Sequence, residues 1–346
     1  MDLDTESFWI AFYASHADLG REWYVERPVA LLWSARLLAP LLLHSAVSPP
    51  SSRCRVLHVG AGTSTLHLSI AAAVRGARVR VAAQTGEAIV ARLTVVNIDF
   101  AAESVAALER HSARVWPASA TAEDEDTFEY VAGDVRDLVE MFAPSSFAAA
   151  VDKGTLDSLM SAGAHSNAHA ALFELSHALR PRGGRLIIFS LFGPGERLAV
   201  LLDGEEVAWT ESAAAAVAGV VAREAAGGDG ELAAENAAAR AIAAAADDAS
   251  SVAFESLGFA TAGRSRRYGW RVWWRALNIA PLEVGFSDGT WVYVCVKEVE
   301  VCFYLPLHFK RILLTILTCP PHILTFKNRG RGGGGGGAGG RSSVRL

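Results

Sequence analysis

The chain has 346 residues, of which 51% are hydrophobic, and this is enough to bury a sizeable core in one or two domains. Its net charge of −5 gives no overall electrostatic reason to expect binding to nucleic acid. The four cysteines are scattered, without a CxxC pair or a metal-like spacing to histidine, which argues against a disulfide framework and against a zinc or other metal site: Cys54, Cys295, Cys302 and Cys319.

The N-terminal segment carries no recognisable targeting signal. MDLDTESFWI is acidic from its second residue, unlike a secretory signal or an Arg-rich transit peptide. The apolar stretch 29–47 is interrupted by Arg36 and Pro40 and is too short to span a bilayer. We therefore expect a soluble cytoplasmic protein with no membrane partner.

Residues 6–45 are predicted to form an N-terminal helical cap. Aromatic side chains recur along one of its faces, and on this pattern alone packing into a core is the simplest explanation. They are Phe8, Trp9, Phe12 and Tyr13, followed by Trp23.

Residues 53–66, RCRVLHVGAGTSTL, predict a buried strand, a glycine turn and the start of a helix. In Gly60-Ala61-Gly62, glycine permits the tight turn and lets a ligand approach the backbone. The N–H groups at the start of the helix favour polar ligands. Thr65 stands where the dinucleotide fingerprint has its third glycine, which counts against a nicotinamide enzyme.

Two acids follow the next two predicted strands. Asp99 ends the strand 93–98, where a carboxylate can accept hydrogen bonds from ribose hydroxyls, although 76–92 looks like an insertion before it. Asp134 follows the strand 128–131, where it can accept from an adenine amino group or cap a turn.

The segment 147–160, FAAAVDKGTLDSLM, predicts a fourth buried strand that ends in Asp152 and Lys153 before a helix begins. Charges at a buried strand end need partners. The alternative is that Asp152 caps the helix and Lys153 is solvated.

A fifth strand is predicted at 185–190, and the alternation of strands and helices indicates an α/β fold with a parallel sheet and right-handed crossovers. Residues 211–250 form an Ala-rich insertion, and the strands 270–277 and 290–298 form a terminal pair. Residues 299–346 are predicted to lie outside the fold, Gly-rich and disordered from 329; such a tail can bind RNA but is more often inert.

Together these residues resemble the class I S-adenosylmethionine-dependent methyltransferases of the methyltransferase-like group that carries a DKGTLD motif. That group includes the lysine methyltransferases of elongation factor 1A and of mitochondrial citrate synthase. The motif is residues 152–157 here, and the resemblance covers about 6–200 and, more loosely, 270–298. It implies a Rossmann-like, seven-stranded methyltransferase sheet with a terminal antiparallel strand pair, within a domain spanning 1–298.

The resemblance also implies a role for each site residue around S-adenosyl-L-methionine. The aromatic residues Trp9, Tyr13 and Trp23 would pack around the cofactor, and Gly60, Ala61 and Gly62 would pass close to its methionine part. Asp99 with Phe100 would hold ribose and adenine, and Asp134 with Val135 the adenine edge. Asp152 and Lys153 would stand at the methionine end, and Asp152 or Asp157 would orient the acceptor amine. His58 departs from the acid that many class I enzymes carry at that position.

The predicted function is therefore protein-lysine N-methylation, with a translation factor as the kind of protein substrate that the resemblance offers. Two alternatives stay open: a methyltransferase for small molecules, and a catalytically silent scaffold that binds S-adenosylmethionine.

Overall fold

The structure is a computed structural model of the chain. It describes residues 6–15, 33–34, 36–38, 54–85, 92–116, 126–161, 165–202, 259–277 and 290–298. All of them belong to the first of two compact units, Met1–Val301. Four predictions fall wholly or mostly outside the described residues: those for Trp23, for the helical cap 6–45 beyond residue 15, for the Ala-rich segment 211–250 and for the tail after residue 298.

Helices and strands alternate along most of the described chain. The helices are α1 (Glu6–Ser15), α2 (Leu66–Thr85), α3 (Ala102–Val115), α4 (Leu138–Met141), α5 (Thr155–Ser161), α6 (His165–Ala178) and α7 (Pro194–Leu201), and a 3-10 turn covers Val135–Asp137. The strands are β1 (Cys54–Val59), β2 (Leu93–Asp99), β3 (Thr127–Ala132), β4 (Ala149–Lys153), β5 (Arg185–Ser190), β6 (Ala260–Ser265), β7 (Trp270–Leu277) and β8 (Thr290–Lys297).

The strands form one sheet in the order β3-β2-β1-β4-β5-β8-β7-β6. The first five are parallel, and β8 is antiparallel to both β5 and β7. The strand β7 therefore runs in the same direction as β5, with a reversed strand between them. This confirms the predicted α/β fold with a parallel sheet and a terminal antiparallel pair.

The sheet has one strand more than predicted. The segment ATAGRS of β6 contains no alternating apolar pattern, and it forms a strand because it pairs antiparallel with the edge of β7. The helix α2 also extends to Thr85, so residues 76–85, predicted as part of an insertion, continue the helix. Gly76 is accommodated within it at a modest free-energy cost.

Apolar residues alternate along the strands and fill both faces of the sheet. One face packs with α2, with Val56, Val151 and Phe189 in its core. The other packs with α5, α6 and α7, with Leu57, Ile188 and others in its core. No helix in the described part of the chain is long and apolar enough to cross a membrane.

Candidate functional site

The glycine turn after β1 is folded against the end of β2. Gly60 and Gly62 have φ of 55° and 49°, a left-handed conformation that glycine adopts without steric cost. The Gly62 N–H donates to Asp99 Oδ2 over 2.8 Å, and the Ala61 N–H donates to the Ile98 carbonyl over 2.9 Å. The predicted glycine loop and the predicted acid are thus joined directly.

The carboxylate of Asp99 is 4% exposed. Its Oδ1 accepts the Ala101 N–H over 2.9 Å, so each oxygen holds one backbone N–H and keeps lone-pair capacity for another donor. Burial raises the pKa of Asp99, and the hydrogen bonds from Ala101 and Gly62 offset part of this rise. Phe100, which follows at once, is half-buried.

The helix α1 brings an aromatic side chain onto the same turn. A Cβ added at Gly62 would lie 2.2 Å from the Tyr13 hydroxyl oxygen, so this hydroxyl packs directly on the glycine. Burial, and then the negative charge of Asp99, raise the pKa of Tyr13. Trp9 stacks on Tyr13, with ring centroids 5.8 Å apart. The structure therefore brings Trp9 and Tyr13 to the glycine loop.

Asp134 caps the 3-10 turn after β3. Its Oδ1 accepts the Arg136 N–H over 2.8 Å, and its Oδ2 accepts from Arg136 Nε over 2.9 Å. Burial alone would raise the pKa of Asp134, but the bonds from Arg136 outweigh it and the pKa lies below its ordinary value. The turn-capping alternative is thus observed, and Val135 is buried beside it. The Gly133 N–H donates to the Asp99 carbonyl over 2.9 Å, which ties the two strand ends together.

The two charges at the end of β4 lie on opposite faces of the sheet. Asp152 is in register with Ile188, whose side chain belongs to the α5–α7 face, and Lys153 is in register with Phe189, which belongs to the α2 face. Both are buried. Side chains alternate along a strand, so Asp152 lies in the layer between the sheet and α5–α7, and Lys153 lies in the layer between the sheet and α2.

Asp152 caps α5. Its Oδ1 accepts the N–H groups of Thr155 and Leu156 over 3.1 and 3.2 Å. The side chain is 0% exposed, and burial raises its pKa to about 6, although the positive charge of Arg197 and the α5 hydrogen bonds pull it down. The capping half of the alternative is therefore observed, but its other half is wrong, because Lys153 is buried rather than solvated.

Thr155, at the start of α5, links β4 to the glycine loop. A Cβ at Gly60 would lie 1.8 Å from Thr155 Oγ1, and this hydroxyl donates to the Val59 carbonyl over 3.3 Å. The threonine of the DKGTLD motif therefore fills the space under the first glycine.

Both carboxylate oxygens of Asp157 bind groups of the protein itself. Its Oδ1 accepts from Ser190 Oγ over 2.7 Å and forms an ion pair with Arg197. Its Oδ2 accepts the Leu191 N–H over 2.8 Å. These contacts join α5 to the end of β5. The predicted role of orienting an acceptor amine stays a prediction, and both oxygens already hold donors.

Two features of this region were missed in the sequence. Arg197 belongs to α7, where no motif marks it, and its partner Asp157 is 40 residues away in the chain. His58 is buried, and its Nδ1 bonds to Asn97 Oδ1 over 2.9 Å below the glycine loop. The histidine therefore has a hydrogen-bond partner in β2.

No protein-family model matches the chain, and no curated protein matches it. Among solved structures, it is similar to a SAM-dependent methyltransferase from Methanosarcina mazei (15% identity, 72% of this chain and 95% of that one, TM-score 0.33). It is also similar to an arsenic(III) S-adenosylmethionine methyltransferase from Chlamydomonas reinhardtii (15%, 73% and 65%, 0.32). A third is the sugar N-methyltransferase KedS8 from Streptoalloteichus (16%, 54% and 54%, 0.30).

These identities are below 25% and the TM-scores below 0.5. The chain spans about half the length of KedS8 and slightly under two thirds of the algal enzyme.

Proposed function

We propose that the protein is an S-adenosylmethionine-dependent methyltransferase and that its acceptor is a lysine side chain of a protein. One observation carries the proposal: at one edge of the sheet, the glycine turn is bonded to Asp99 and packed on Thr155. Three strand ends, those of β1, β2 and β4, thereby form one continuous surface. In open α/β sheets, ligands bind at this edge.

The residues present fit the cofactor. The backbone of 60–62 turns tightly enough for close approach by a ligand. Asp99 keeps lone-pair capacity on both oxygens for two hydroxyl groups of a ribose. Asp134 follows Gly133, whose N–H is bonded to the Asp99 carbonyl, so an adenine edge would meet the chain there, beside a carboxylate that accepts from Arg136. Trp9 and Tyr13 offer aromatic faces that favour a sulfonium cation.

When bound, the cofactor supplies an electrophilic methyl group on its sulfonium. The chain's own residues would hold it in place, exclude water and align the acceptor. A lysine acceptor has an ordinary pKa of about 10.4 and must be neutral to react. A dry pocket next to a cation lowers that pKa.

Two acids of the DKGTLD motif hold the helix α5 in place beside the glycine turn. Asp152 holds the first turn of α5, and Asp157 holds α5 to the end of β5. The lysine acceptor is supported by the motif itself, which lies at the end of β4 as the resemblance implies.

Binding of the cofactor is the first test. Isothermal titration of the folded protein with S-adenosylmethionine should give a one-to-one complex. S-adenosylhomocysteine should compete for the same site. Absence of heat at protein concentrations well above micromolar would exclude the proposed function.

The acceptor class needs a second test. The protein is incubated with methyl-labelled S-adenosylmethionine and a cell extract, and the label is followed by mass spectrometry. We expect label on lysine residues of proteins. Label in small metabolites alone would replace the lysine proposal with a small-molecule methyltransferase, and cofactor binding without any label transfer would indicate a silent scaffold.

A further inference from the structure

Arg197 is a buried cation that pairs with one carboxylate and acts electrostatically on a second. Its side chain is 0% exposed, and its Nη2 forms the ion pair with Asp157. Its Nε and Nη2 lie 3.3 and 3.1 Å from Ser190 Oγ, and its Cζ lies 5.5 Å from the centroid of the Phe192 ring. Its charge also acts on Asp152.

Stability alone does not explain such a buried ion pair. Replacing a buried pair by apolar residues of similar volume is often neutral or stabilising, because the desolvation of the charges is expensive. The Arg197–Asp157 pair, which lies beside the candidate site, therefore points to a role in positioning the residues of that site.

The contacts lead from Arg197 to the glycine loop without a gap. Asp157 fixes α5 to the β5 end, and α5 has only seven residues, so these contacts set its position. Asp152 holds its first N–H groups. Thr155, the first residue of α5, then packs under Gly60.

We propose that Arg197 is a positioning residue for the cofactor site: it holds Asp157, and through α5 it sets the place of Thr155 beneath the glycine loop. The inference rests on the proposed function in that this loop receives the cofactor. Arg197 touches neither cofactor nor acceptor in this scheme and acts through α5.

The ionisation of Asp152 supplies a second readout, which reports whether the charge of Arg197 acts on this carboxyl; the affinity for S-adenosylmethionine, compared with that of a control variant, reports the positional role. Arg197 of α7 is the charged group that acts on Asp152. Arg197 also pairs with Asp157 of α5 and acts on Tyr293 and Cys295 of β8, and Glu196 of α7 acts on Tyr293. Burial raises the pKa of Tyr293 and of Cys295, so both are neutral below pH 8. Arg197 is the cation that acts on Asp152, and its removal should raise the pKa of this carboxyl further.

The test compares Arg197→Met and Arg197→Lys with a matched control, Arg185→Met. Arg185 is also a buried arginine, but it stands at the opposite end of β5, where its Nη1 donates to the Leu37 carbonyl over 3.0 Å. Each variant is also combined with Asp152→Asn, and the melting temperature is measured from pH 4 to 8. The difference between each pair of curves isolates the titration of Asp152.

We expect Arg197→Met to move this titration upward by about one pH unit or more, and to weaken S-adenosylmethionine binding about tenfold or more. Arg197→Lys should leave the titration near its wild-type position, because the charge is kept. It should still weaken binding, because the two-pronged contact with Asp157 and Ser190 is lost. Arg185→Met should lower the melting temperature and leave both the titration and the dissociation constant unchanged.

Three results would overturn the inference: an unmoved titration in Arg197→Met, unchanged binding in both Arg197 variants, or the same changes in Arg185→Met. If Arg197→Met does not fold, Arg197→Lys decides, since wild-type binding in that variant removes the positional role. If the wild-type protein does not bind the cofactor, the proposed function fails, and the pH titration still decides whether Arg197 controls Asp152.

Discussion

Asp152 carries a charge that the fold disfavours. Its pKa of about 6 lies above the unfolded value of 3.8, so its contribution to stability is fully present below pH 4 and is lost as the pH rises through 6. At neutral pH this loss is about 3 kcal/mol. A stability cost of this kind at a candidate site is typical of groups kept for function.

Asp152→Asn should reverse that loss. The amide oxygen can still accept the α5 N–H groups, and no charge is buried at neutral pH. We expect the free energy of unfolding at pH 7 to equal or exceed that of the wild type, and its fall between pH 4 and 6 to flatten. Urea titrations across this pH range measure both. A variant that is less stable at pH 7 and keeps the wild-type pH dependence contradicts this assignment of the titration.

Asp99→Ala should weaken S-adenosylmethionine binding by roughly 1–3 kcal/mol, because a charge-assisted acceptor is lost and the Gly62 N–H loses its partner. Titration calorimetry gives the dissociation constant. Glu140→Ala, which removes an exposed acid on α4, is the control and should bind as the wild type does. An unchanged constant in Asp99→Ala rejects its predicted ribose role.

Gly60→Ala should destabilise the protein by about 1–3 kcal/mol, because its φ is left-handed and the added Cβ meets Thr155. Gly195→Ala in α7 is the matched control: nothing lies within 4 Å of its Cβ position, and alanine favours a helix. Thermal melts of both variants provide the comparison. Equal melting temperatures would show that Thr155 does not require a glycine at 60.

At the scale of elements, Lys297 of β8 caps the C-terminus of α6. Its Nζ donates to the carbonyls of Ser176 and Tyr268 over 2.7 and 3.0 Å in a buried setting. A cation at a helix C-terminus satisfies carbonyls that the helix cannot, and it interacts favourably with the helix dipole.

Lys297→Met should therefore lower the free energy of unfolding by about 2–4 kcal/mol, since two buried carbonyls lose a charged donor. Denaturant titration measures this change. The site lies at the far edge of the sheet from the glycine loop, so cofactor affinity in the folded variant should stay within twofold of the wild type. A stability equal to the wild type would show that other donors replace the lysine.

Element boundaries followed the sequence where local patterns are strong. The bounds of β5 and β7 agree with the prediction, because continuous or alternating apolar residues mark them. The strand β6 was missed, because ATAGRS carries no strand pattern and its conformation depends on pairing with β7. Local sequence does not contain such long-range pairing.

At the scale of the whole molecule, acid should destabilise the fold through His67. This histidine of α2 is buried, with Nε2 2.7 Å from Ser112 Oγ of α3. Burial, and then the nearby His58, lower its pKa to about 3. A base with a lowered folded pKa loses stability as the pH falls below its unfolded value of 6.5.

Between pH 6.5 and 5, this histidine alone should lower the free energy of unfolding by about 1.4 kcal/mol per pH unit. Asp152 acts in the opposite direction between pH 6 and 4, so single variants are needed to separate the two. His67→Gln should flatten the acid limb of the stability curve. An unchanged slope in that variant would assign acid sensitivity to other groups.

The site residues that could be predicted are those at the ends of strands that the sequence pattern marks clearly. The glycine turn, Asp99 and the DKGTLD motif follow strand ends, and parallel strands bring those ends to one edge. The Asp157–Arg197 ion pair was not predicted. Nor was the face of the sheet on which each of the charged side chains Asp152 and Lys153 lies. They depend on the packing of α7 and on the phase of β4, which only the assembled sheet fixes.

The reversed strand β8 has a consequence for how the chain is made. β5 is complete at Ser190, but its neighbour in the sheet, β8, begins at Thr290, about a hundred residues later. On a ribosome, the five parallel strands are therefore synthesised while β5 still presents an unpaired edge. A chain released before residue 290 should pair that edge with other molecules, so premature termination should yield aggregates rather than a smaller folded protein.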